Sequence, residues 1–550
     1  MKSIGIQNIT AILSMLHEPP LDAPHGQRCS ATRLFRREPV LRWTLDRLTR
    51  CEQLGSIGIL CWEDQLPAVE PLAEQAGAVI LAKGPRKALP EVEAIAAAQR
   101  WAEGWRGGLL STCHFDQGFY APWHHELAQR IGSNAIIPID PAAALIDAKL
   151  IDALIEHAHA DESDEFVFQT AAPGLGGVLI RPTLLNRLAA AKAHPGRILH
   201  YDPAQNGHDL ISSPCCVPVP AAVSRTLHRF TLETDRQVRK ISAATEALNG
   251  QLISSVAEDL VQRISASRTM SELPREIVLE LTTRRSTKAI FRPGESMNIA
   301  RPDFSMDMAK KLFRELATLD GTRLTLAGVG DPLLSPDVFT LIDAARMEAG
   351  LWVHVETDLL GITPENITQL AASPVDVVSV HVPALSPQMY SKVMGCDEYA
   401  AVLENIRRFI AERQTRRSGV PILVPVFTKC RENIGEMEAW YDQWLRALGS
   451  ASIQGPSDCA GQLVDVSVAD MAPPARKPCA RLTSRLTILS DGTVVSCEQD
   501  IAGARPMGRL GEEPLRDIWQ HQFERLRADH REGAFDKHPL CARCREWHRP

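Results

Sequence analysis

The sequence predicts an α/β protein with two successive series of strands and helices, followed by a small cysteine-rich segment. Three observations support this fold class. Short apolar runs alternate with helical patterns over residues 1–228, and the same alternation returns over residues 273–445. After residue 446, four cysteines accompany a hairpin signal. Strands that alternate with helices favour mainly parallel sheets that are covered by helices on both faces.

Composition sets the class of protein before any motif is considered. The 550 residues are 45% hydrophobic and 23% charged, which is ordinary for a soluble globular protein of several domains. A formal charge of −7 gives no basic footprint, so we expect no nucleic-acid partner. No apolar run reaches about 18 residues, so we expect no membrane span. Thirteen mostly scattered cysteines favour a reducing cytoplasm over a disulfide framework.

The first series begins with a buried strand near the N-terminus. We interpret the apolar stretch at 9–16 as this strand rather than as a secretory signal, because no small-residue cleavage site follows it. Further strands are predicted at 56–61, 78–82, 108–111, 135–139 and 165–169, and a helix is predicted at 145–158. Residues 229–272 carry mixed charge and helical spacing, which predicts a helical connector between domains.

The second series covers residues 273–445. Strands are predicted at 277–282, 324–327, 352–355, 375–382 and 422–427. The runs at 335–337 (SPD) and 363–365 (TPE) each supply a capping hydroxyl, a proline and an acid, which is typical of a helix start. About five β/α units predict a partial or complete parallel barrel, with its site at the carboxyl ends of the strands.

The third segment, residues 446–550, holds the cysteine cluster. The turn dipeptide Asp491-Gly492 predicts a hairpin between strands at 486–489 and 493–496. Cys497 closes this hairpin, Cys479 precedes it, and Cys541 and Cys544 form a C-x-x-C pair. Four thiolates satisfy either a tetrahedral zinc ion or a [4Fe–4S] cluster, and the spacing alone does not separate the two.

The arrangement of these cysteines resembles the SPASM domain, which follows many radical S-adenosylmethionine (SAM) enzymes. The resemblance rests on the C-x12-G-x4-C run at 479–497, on Asp500 and Gly508, on the helix at 514–519 (PLRDIW) and on the final C-x-x-C. It implies one [4Fe–4S] cluster fully ligated by the protein, with a role in electron transfer or structure. The implied ligands are Cys479, Cys497, Cys541 and Cys544.

The second series resembles a radical SAM core. Residues 279–284 (LELTTR) resemble the strand and loop before the family's C-x3-C-x2-C motif, and residues 375–381 resemble its fourth strand. The run at 327–334 (AGVGDPLL) is similar to the family's glycine-rich segment, which contacts the methionine end of SAM. The resemblance implies that Gly328, Gly330 and Asp331 form this contact. Glycine suits such a loop because a backbone without Cβ approaches a ligand closely.

The three cluster cysteines of that core are replaced in this chain. Aligning the first strand puts Arg285, Ala289 and Arg292 at the three cysteine positions. None of these side chains supplies a thiolate, so we predict that the barrel does not cleave SAM. Arg285, Lys288 and Arg292 either form a solvated basic loop or bind an anion such as phosphate, and we favour the solvated loop.

The first series resembles the nucleotidyltransferase fold, through residues 28–34 (RCSATRL) and 37–41 (REPVL). More narrowly, it is similar to cytidylyltransferases of spore-coat polysaccharide and acidic-sugar biosynthesis. The resemblance implies a doubly wound sheet, a nucleotide loop with Ser30, Thr32 and Arg33, and Mg²⁺ at Asp116 or Asp140. The alternative is an α/β domain that is retained for binding or assembly.

Together these features predict a cytoplasmic SPASM protein that binds one [4Fe–4S] cluster and whose barrel lacks the SAM-cleaving cluster. The fused first domain suggests a setting in surface polysaccharide or sugar-nucleotide metabolism. Its partner would be a redox protein or a glycan-biosynthesis enzyme. Two alternatives stay open: a Mg²⁺-dependent nucleotidyltransferase acting on a sugar, and a scaffold for a partner enzyme. Whether the chain is an enzyme is also open.

Overall fold

A computed structural model describes residues 8–24, 27–161, 164–200, 209–267, 269–294 and 297–549. The chain divides into two compact units, residues 1–269 and residues 270–550. None of the helices in the described ranges has the length and apolar character needed to cross a membrane.

The first unit contains nine strands and ten helices in its described part. The strands are β1 (Ile9–Ser14), β2 (Leu34–Phe35), β3 (Glu38–Pro39), β4 (Ser56–Cys61), β5 (Val79–Ala82), β6 (Ala135–Ile139), β7 (Phe166–Gln169), β8 (Val178–Ile180) and β9 (Cys216–Val217). The helices are α1 (Val40–Leu48), α2 (Leu66–Ala76), α3 (Pro90–Arg100), α4 (Ala121–Ile131), α5 (Ala148–Ala160), α6 (Pro182–Ala191), α7 (Gly196–Leu199), α8 (Ala221–Arg225), α9 (Asp235–Ala244) and α10 (Ala257–Ala266).

Seven of these strands form one sheet in the order β5-β4-β1-β6-β8-β7-β9. Strand β1 is buried along its whole length and pairs in parallel with β4 and β6, and its largely apolar sequence, interrupted by Thr10 and Ser14, predicted a buried strand. The chain leaves β1 toward β4 and β5 and later crosses to β6 on the other side. Right-handed crossovers in opposite directions place their helices on opposite faces of the sheet. The predicted doubly wound α/β class is confirmed.

Two details of the first unit differ from the sequence interpretation. The strand predicted at 108–111 is wrong, because Leu110 and Ser111 have positive φ angles and the segment forms a turn. The predicted connector at 229–272 contributes to the core of the first unit instead. Its apolar side chains pack in one cluster with Phe35 and Val40, and they are Phe230, Leu232, Ile241, Leu248, Leu252 and Leu260.

The second unit also contains nine strands and ten helices in its described part. The strands are β10 (Glu276–Leu279), β11 (Arg323–Leu326), β12 (Trp352–Thr357), β13 (Val377–His381), β14 (Ile422–Thr428), β15 (Ser452–Gln454), β16 (Arg485–Ile488), β17 (Thr493–Val495) and β18 (Pro506–Arg509). The helices are α11 (Met306–Leu316), α12 (Val338–Ala349), α13 (Pro364–Ala372), α14 (Pro387–Met394), α15 (Tyr399–Thr415), α16 (Met437–Leu448), α17 (Arg481–Ser484), α18 (Leu515–Asp517), α19 (Phe523–Arg531) and α20 (Pro539–Arg543).

One sheet runs through the whole second unit, in the order β15-β14-β13-β12-β11-β10-β16-β17-β18. Strands β10 to β15 are all parallel, which matches the predicted β/α series. Strand β16 pairs in parallel with β10, and β16, β17 and β18 form an antiparallel meander. The hairpin predicted around Asp491-Gly492 is therefore present, and it continues the barrel sheet rather than starting a separate sheet at residue 446.

Of the two predicted helix starts in this unit, one has its expected cap. Helix α12 begins after Asp337 without a side-chain cap, so the capping role predicted for the hydroxyl at position 335 is wrong. Thr363 caps α13, since its hydroxyl accepts a hydrogen bond from the backbone N–H of Asn366. Helix α12 ends at Gly350, which adopts the left-handed conformation typical of a helix terminus. These helices cover the parallel strands, whose carboxyl ends then carry the loops of the candidate site.

Candidate functional site

The structure brings the four predicted cysteines to one cavity. Cys497 follows β17, Cys479 precedes α17, and Cys541 and Cys544 lie in and just after α20. All four line one cavity, which is partly open to solvent. Their role as metal ligands stays a prediction, and the structure adds that all four converge on the same cavity.

The electrostatics of the cavity indicate that the four thiols are close to one another. Burial, helped by the neighbouring Cys479 and Cys544, raises the pKa of Cys541 to about 11. Burial also holds the pKa of Cys497 well above its ordinary value, with Cys541 among the contributing neighbours. The nearby Arg481 guanidinium acts in the opposite direction on Cys479, Cys497 and Cys544. Thiols of this kind bind metal by giving up their protons.

The four cysteines line the cavity from three separate segments of the chain. Within the described ranges, no group of three or more His, Cys, Asp and Glu side chains is arranged to hold one metal ion. A zinc site would bring every thiolate to about 2.3 Å from one ion, whereas each iron of a [4Fe–4S] cluster takes one thiolate at a separate corner. Four cysteines on one cavity match the number of protein ligands that either group takes.

Two further side chains line the cavity and were not found by sequence reasoning. Nε2 of His530 and Nε of Arg476 are buried and have no hydrogen-bond partner in the part of the chain that the structure describes. The backbone N–H of Cys479 donates to Nδ1 of His530 at 3.3 Å. No spacing rule links a histidine 51 residues away to a cysteine motif, so only the fold reveals this contact.

The first arginine at a cluster-cysteine position, Arg285, is buried and ion-paired. Its Nη1 lies 2.6 Å from Oδ2 of Asp358, and the two side chains are 8% and 2% exposed. Nε and Nη2 donate to the carbonyl oxygens of Val329 and Gly330 at 3.0 and 2.8 Å. The guanidinium thereby ties the loop after β11 to the end of β12.

Arg292, the second arginine that the alignment places at a cysteine position, is hydrogen-bonded at the same edge of the barrel. Its Nη1 donates to the carbonyl oxygen of Gly328 at 3.0 Å, and its Nη2 contacts Nε2 of His381 at 3.0 Å. Burial and the neighbouring Arg285 lower its pKa to about 10. The favoured interpretation of a solvated basic loop is therefore wrong for Arg285 and Arg292, because acceptors at the strand ends bind them. Of the three basic residues, only Lys288 is exposed.

The glycine-rich loop is packed against the segment of the chain that follows strand β10. A Cβ on Gly328 would lie 2.7 Å from Cγ of Glu280, and one on Gly330 would lie 2.2 Å from the carbonyl oxygen of Thr282. The Asp331 carboxylate accepts hydrogen bonds from the backbone N–H of Leu333 and Asp358 and from the Thr357 hydroxyl. Gly328, Gly330 and Asp331 therefore lie at the predicted edge of the barrel, and the close contacts described are with other residues of the same chain.

The predicted nucleotide loop of the first unit makes internal hydrogen bonds. The backbone N–H and hydroxyl of Ser30 both donate to Oε2 of Glu18, at 3.1 and 3.0 Å. The Thr32 hydroxyl donates to the carbonyl oxygen of Cys29, and Arg33 pairs with Asp235. We expected Ser30, Thr32 and Arg33 to bind phosphate. In the structure their polar groups instead bind other residues of the protein.

The two candidate Mg²⁺ aspartates occupy different environments. Asp116 is fully buried and accepts hydrogen bonds from the backbone N–H of Cys113 and Gly196 and from His194, so it holds loops together. Asp140 follows β6, at the carboxyl edge of the sheet beside the end of β1. Burial and the Glu233 carboxylate raise its pKa to about 7.

Glu18, which sequence reasoning missed, lies on the same edge, after β1. Burial and the Asp140 carboxylate raise the pKa of Glu18 to about 8. Strands β1 and β6 meet where the strand order reverses, the place at which open α/β sheets bind ligands. The structure therefore favours Asp140 over Asp116 as a residue near a binding crevice.

Comparison with protein families identifies the second unit. Residues 287–437 match the radical SAM superfamily, and residues 479–545 match SPASM, an iron–sulfur cluster-binding domain. An "Uncharacterized protein" of Treponema pallidum (strain Nichols) is 28% identical over 312 residues, which are 53% of this chain and 84% of that protein.

Two further comparisons cover smaller or more distant regions. The "AdoMet-dependent heme synthase" of Methanosarcina barkeri (strain Fusaro / DSM 804) is 30% identical over 127 residues, which are 23% of this chain and 36% of that protein. A cytidylyltransferase from Leptospira borgpetersenii serovar Hardjo-bovis (strain JB197) superposes with a TM-score of 0.32 at 16% identity, over 47% of this chain and 93% of that one. The two family matches thus divide the second unit into a part similar to the radical SAM superfamily, residues 287–437, and a part similar to the SPASM iron–sulfur cluster-binding domain, residues 479–545.

Proposed function

We propose that this chain binds one [4Fe–4S] cluster through Cys479, Cys497, Cys541 and Cys544, and that its barrel does not cleave SAM. The observation that carries the proposal is the shared cavity of the four cysteines, which lie on three separate segments of the second unit. Cys396, Cys430 and Cys459 of this unit do not line that cavity. Four thiolates complete the ligand set of such a cluster, so no iron is left open for substrate.

The cavity supplies what such a cluster needs from the protein. When bound, a [4Fe–4S] cluster accepts and releases one electron at a potential that its surroundings set. The cysteine segments converge on the cavity, Arg481 offsets part of the thiolate charge, and Leu482 and Trp547 restrict access of water. These roles fit electron transfer or structural support.

The barrel edge supports the second part of the proposal. A SAM-cleaving cluster needs three thiolates close to the glycine-rich loop, and two of the corresponding positions are arginines. Arg285 and Arg292 donate to the carbonyl oxygens of residues 328, 329 and 330, so their guanidinium groups lie against this loop. Ala289, at the remaining position, is buried and apolar.

Iron, sulfide and zinc analysis of anaerobically purified protein tests the cluster, together with EPR after reduction. About four irons per chain with matching sulfide are expected. The variant Cys541→Ala should lose the cluster, while Cys396→Ala, which removes a thiol outside the cavity, should keep it. One zinc without sulfide would overturn the cluster assignment, and about eight irons would contradict the proposal for the barrel.

We also infer a setting in surface polysaccharide or sugar-nucleotide metabolism, with a redox protein or a glycan-biosynthesis enzyme as partner. The support is the sequence resemblance of residues 28–41 to cytidylyltransferases. Incubation with Mg²⁺, CTP and sugar phosphates separates this cluster-binding role from the nucleotidyltransferase alternative. Pyrophosphate release that is lost in Asp140→Asn would favour the transferase. If the chain is a scaffold for a partner enzyme, it should release no pyrophosphate. Loss of the cluster should then lower only the stability of the protein.

A further inference from the structure

The histidine in the cysteine cavity has a defined tautomer. Nδ1 of His530 accepts a hydrogen bond from the backbone N–H of Cys479 at 3.3 Å. A nitrogen that accepts such a bond carries no proton, so in the neutral ring the proton resides on Nε2. Nε2 of His530 is therefore a hydrogen-bond donor.

This donor has no acceptor in the described part of the chain. The side chain of His530 is 2% exposed, its Nε2 is buried, and the residue lines the cavity with the four cysteines. Buried polar groups in proteins nearly always have a partner, so an orphaned donor of this kind points to a group that occupies the cavity. Arg476 repeats the pattern, since its Nη2 donates to the carbonyl oxygen of Cys541 while its Nε has no partner among the described residues.

We propose that His530 donates a hydrogen bond from Nε2–H to a sulfur of the cluster bound at Cys479, Cys497, Cys541 and Cys544, and thereby raises the reduction potential of that cluster. The inference rests on the proposed cluster and adds the residue that tunes it. Sulfides and thiolates are acceptors, and none of the oxygen-bearing side chains that line the cavity, those of Ser496, Gln499 and Glu546, accepts a hydrogen bond from Nε2 of His530. A hydrogen bond to a cluster sulfur stabilises the reduced form, which carries one more negative charge.

The contact between His530 and Cys479 gives this donor a fixed direction. Because the backbone of a ligating cysteine binds Nδ1, the opposite edge of the ring is held relative to that ligand. Phe535 packs edge-on against the ring at 5.0 Å between centroids, which restricts its rotation. His530 thus acts on the cluster through orientation of one N–H group.

Two substitutions separate the two edges of the ring. In His530→Asn, the side-chain amide reaches only the position of Nδ1, so it keeps an acceptor for Cys479 and loses the donor to the cavity. In His530→Gln, the longer side chain places its N–H group near the position of Nε2 and keeps the donor. His538→Asn serves as the control, because Nε2 of His538 contacts Asp529 and the residue does not line the cavity.

Anaerobic EPR redox titration of the four proteins measures the effect. The reduction equilibrium of His530→Asn should shift about tenfold toward the oxidised cluster, which is about 59 mV for a one-electron couple. His530→Gln and His538→Asn should stay close to the unsubstituted protein. Full iron and sulfide content with an unchanged potential in His530→Asn would overturn the inference and leave the proposed function intact.

A measurement on the unsubstituted protein covers the case in which a variant does not fold. Pulsed ENDOR of protein labelled with ¹⁵N-histidine should show one exchangeable proton and one histidine nitrogen coupled to the reduced cluster. A reduced cluster without these couplings would overturn the inference. Absence of iron and sulfide from this protein would instead overturn the proposed function, and the inference with it.

Discussion

The guanidinium of Arg285 lies 2.6 Å from the carboxylate of Asp358, and both side chains are buried at the carboxyl edge of the barrel strands. The Thr287 hydroxyl donates to the same carboxylate oxygen at 2.5 Å. Burial acts to raise the pKa of Asp358, but Arg285, together with His381, Arg292 and the Thr287 hydrogen bond, holds it well below its ordinary value. The position that we predict to align with a metal-binding cysteine therefore carries one half of a buried ion pair in this chain.

Removal of Arg285 should destabilise the second unit. In Arg285→Ala, Asp358 would remain buried without its cationic partner, and breaking a buried pair in this way typically costs about 3–5 kcal/mol. Arg284→Ala is the matched control, because Arg284 is 58% exposed, its partner Asp303 is half-buried, and pairs near the surface contribute about 0–1 kcal/mol. Urea unfolding followed by tryptophan fluorescence measures both. Equal stability of the two variants would contradict a structural role for the Arg285–Asp358 pair.

Added SAM should not be cleaved by the reduced protein. Cleavage requires an iron with an open coordination position beside the glycine-rich loop, and the proposed cluster leaves none, since four cysteines complete its ligand set. Dithionite-reduced protein with SAM should therefore release no 5′-deoxyadenosine above the level of the Cys541→Ala variant, as measured by liquid chromatography. Turnover that survives in Cys541→Ala would place a second cluster in the barrel.

Substitution of Gly330 should also destabilise the barrel edge. A Cβ at this position would lie 2.2 Å from the carbonyl oxygen of Thr282 and 2.8 Å from that of Arg284, and both atoms belong to the backbone. Because no flexible side chain can move aside, Gly330→Ala should cost about 1–3 kcal/mol or more. At Gly435 a Cβ meets nothing within 4 Å, so Gly435→Ala should be neutral or slightly stabilising in the same unfolding experiment.

Sequence reasoning reached the parts of the site that depend on local pattern. The cysteine set follows from spacing and from the Asp491-Gly492 turn, and the structure brings all four residues to one cavity. The parallel strands follow from apolar runs that alternate with helices, and most of them lie within two residues of the predicted positions. Both kinds of information are contained in short stretches of the chain.

Contacts between distant residues could not be read in the same way. Arg285 was found by alignment, yet its burial depends on Asp358, which lies 73 residues away. Arg292 likewise contacts His381, which lies 89 residues further along the chain. Ser30 has the residue type of a phosphate ligand, and only the fold shows that Glu18 accepts both of its hydrogen bonds.

The buried carboxyl of Glu18 should give the first unit an unusual dependence on pH. Its pKa in the folded protein is raised to about 8 by burial and by Asp140, whereas an unfolded chain releases this proton near the ordinary value of about 4.3. Between these two values the folded state holds the proton and the unfolded state does not. Stability from this group is therefore fully present below about pH 4 and is lost as the pH rises toward 8.

The variant Glu18→Gln isolates this effect. Glutamine keeps an acceptor for Ser30 and carries no charge at any pH, so the stability of the variant should fall less between pH 5 and 8 than that of the unsubstituted protein. The exposed Glu74, changed to glutamine in helix α2, provides the control and should leave the pH profile unchanged. Thermal unfolding across this range measures all three proteins. If Glu18→Gln followed the same pH profile as the unsubstituted protein, the prediction would be contradicted. Glu18 would then be ionised in the folded protein, and the sheet edge between β1 and β6 would carry one more negative charge than the burial of Glu18 indicates.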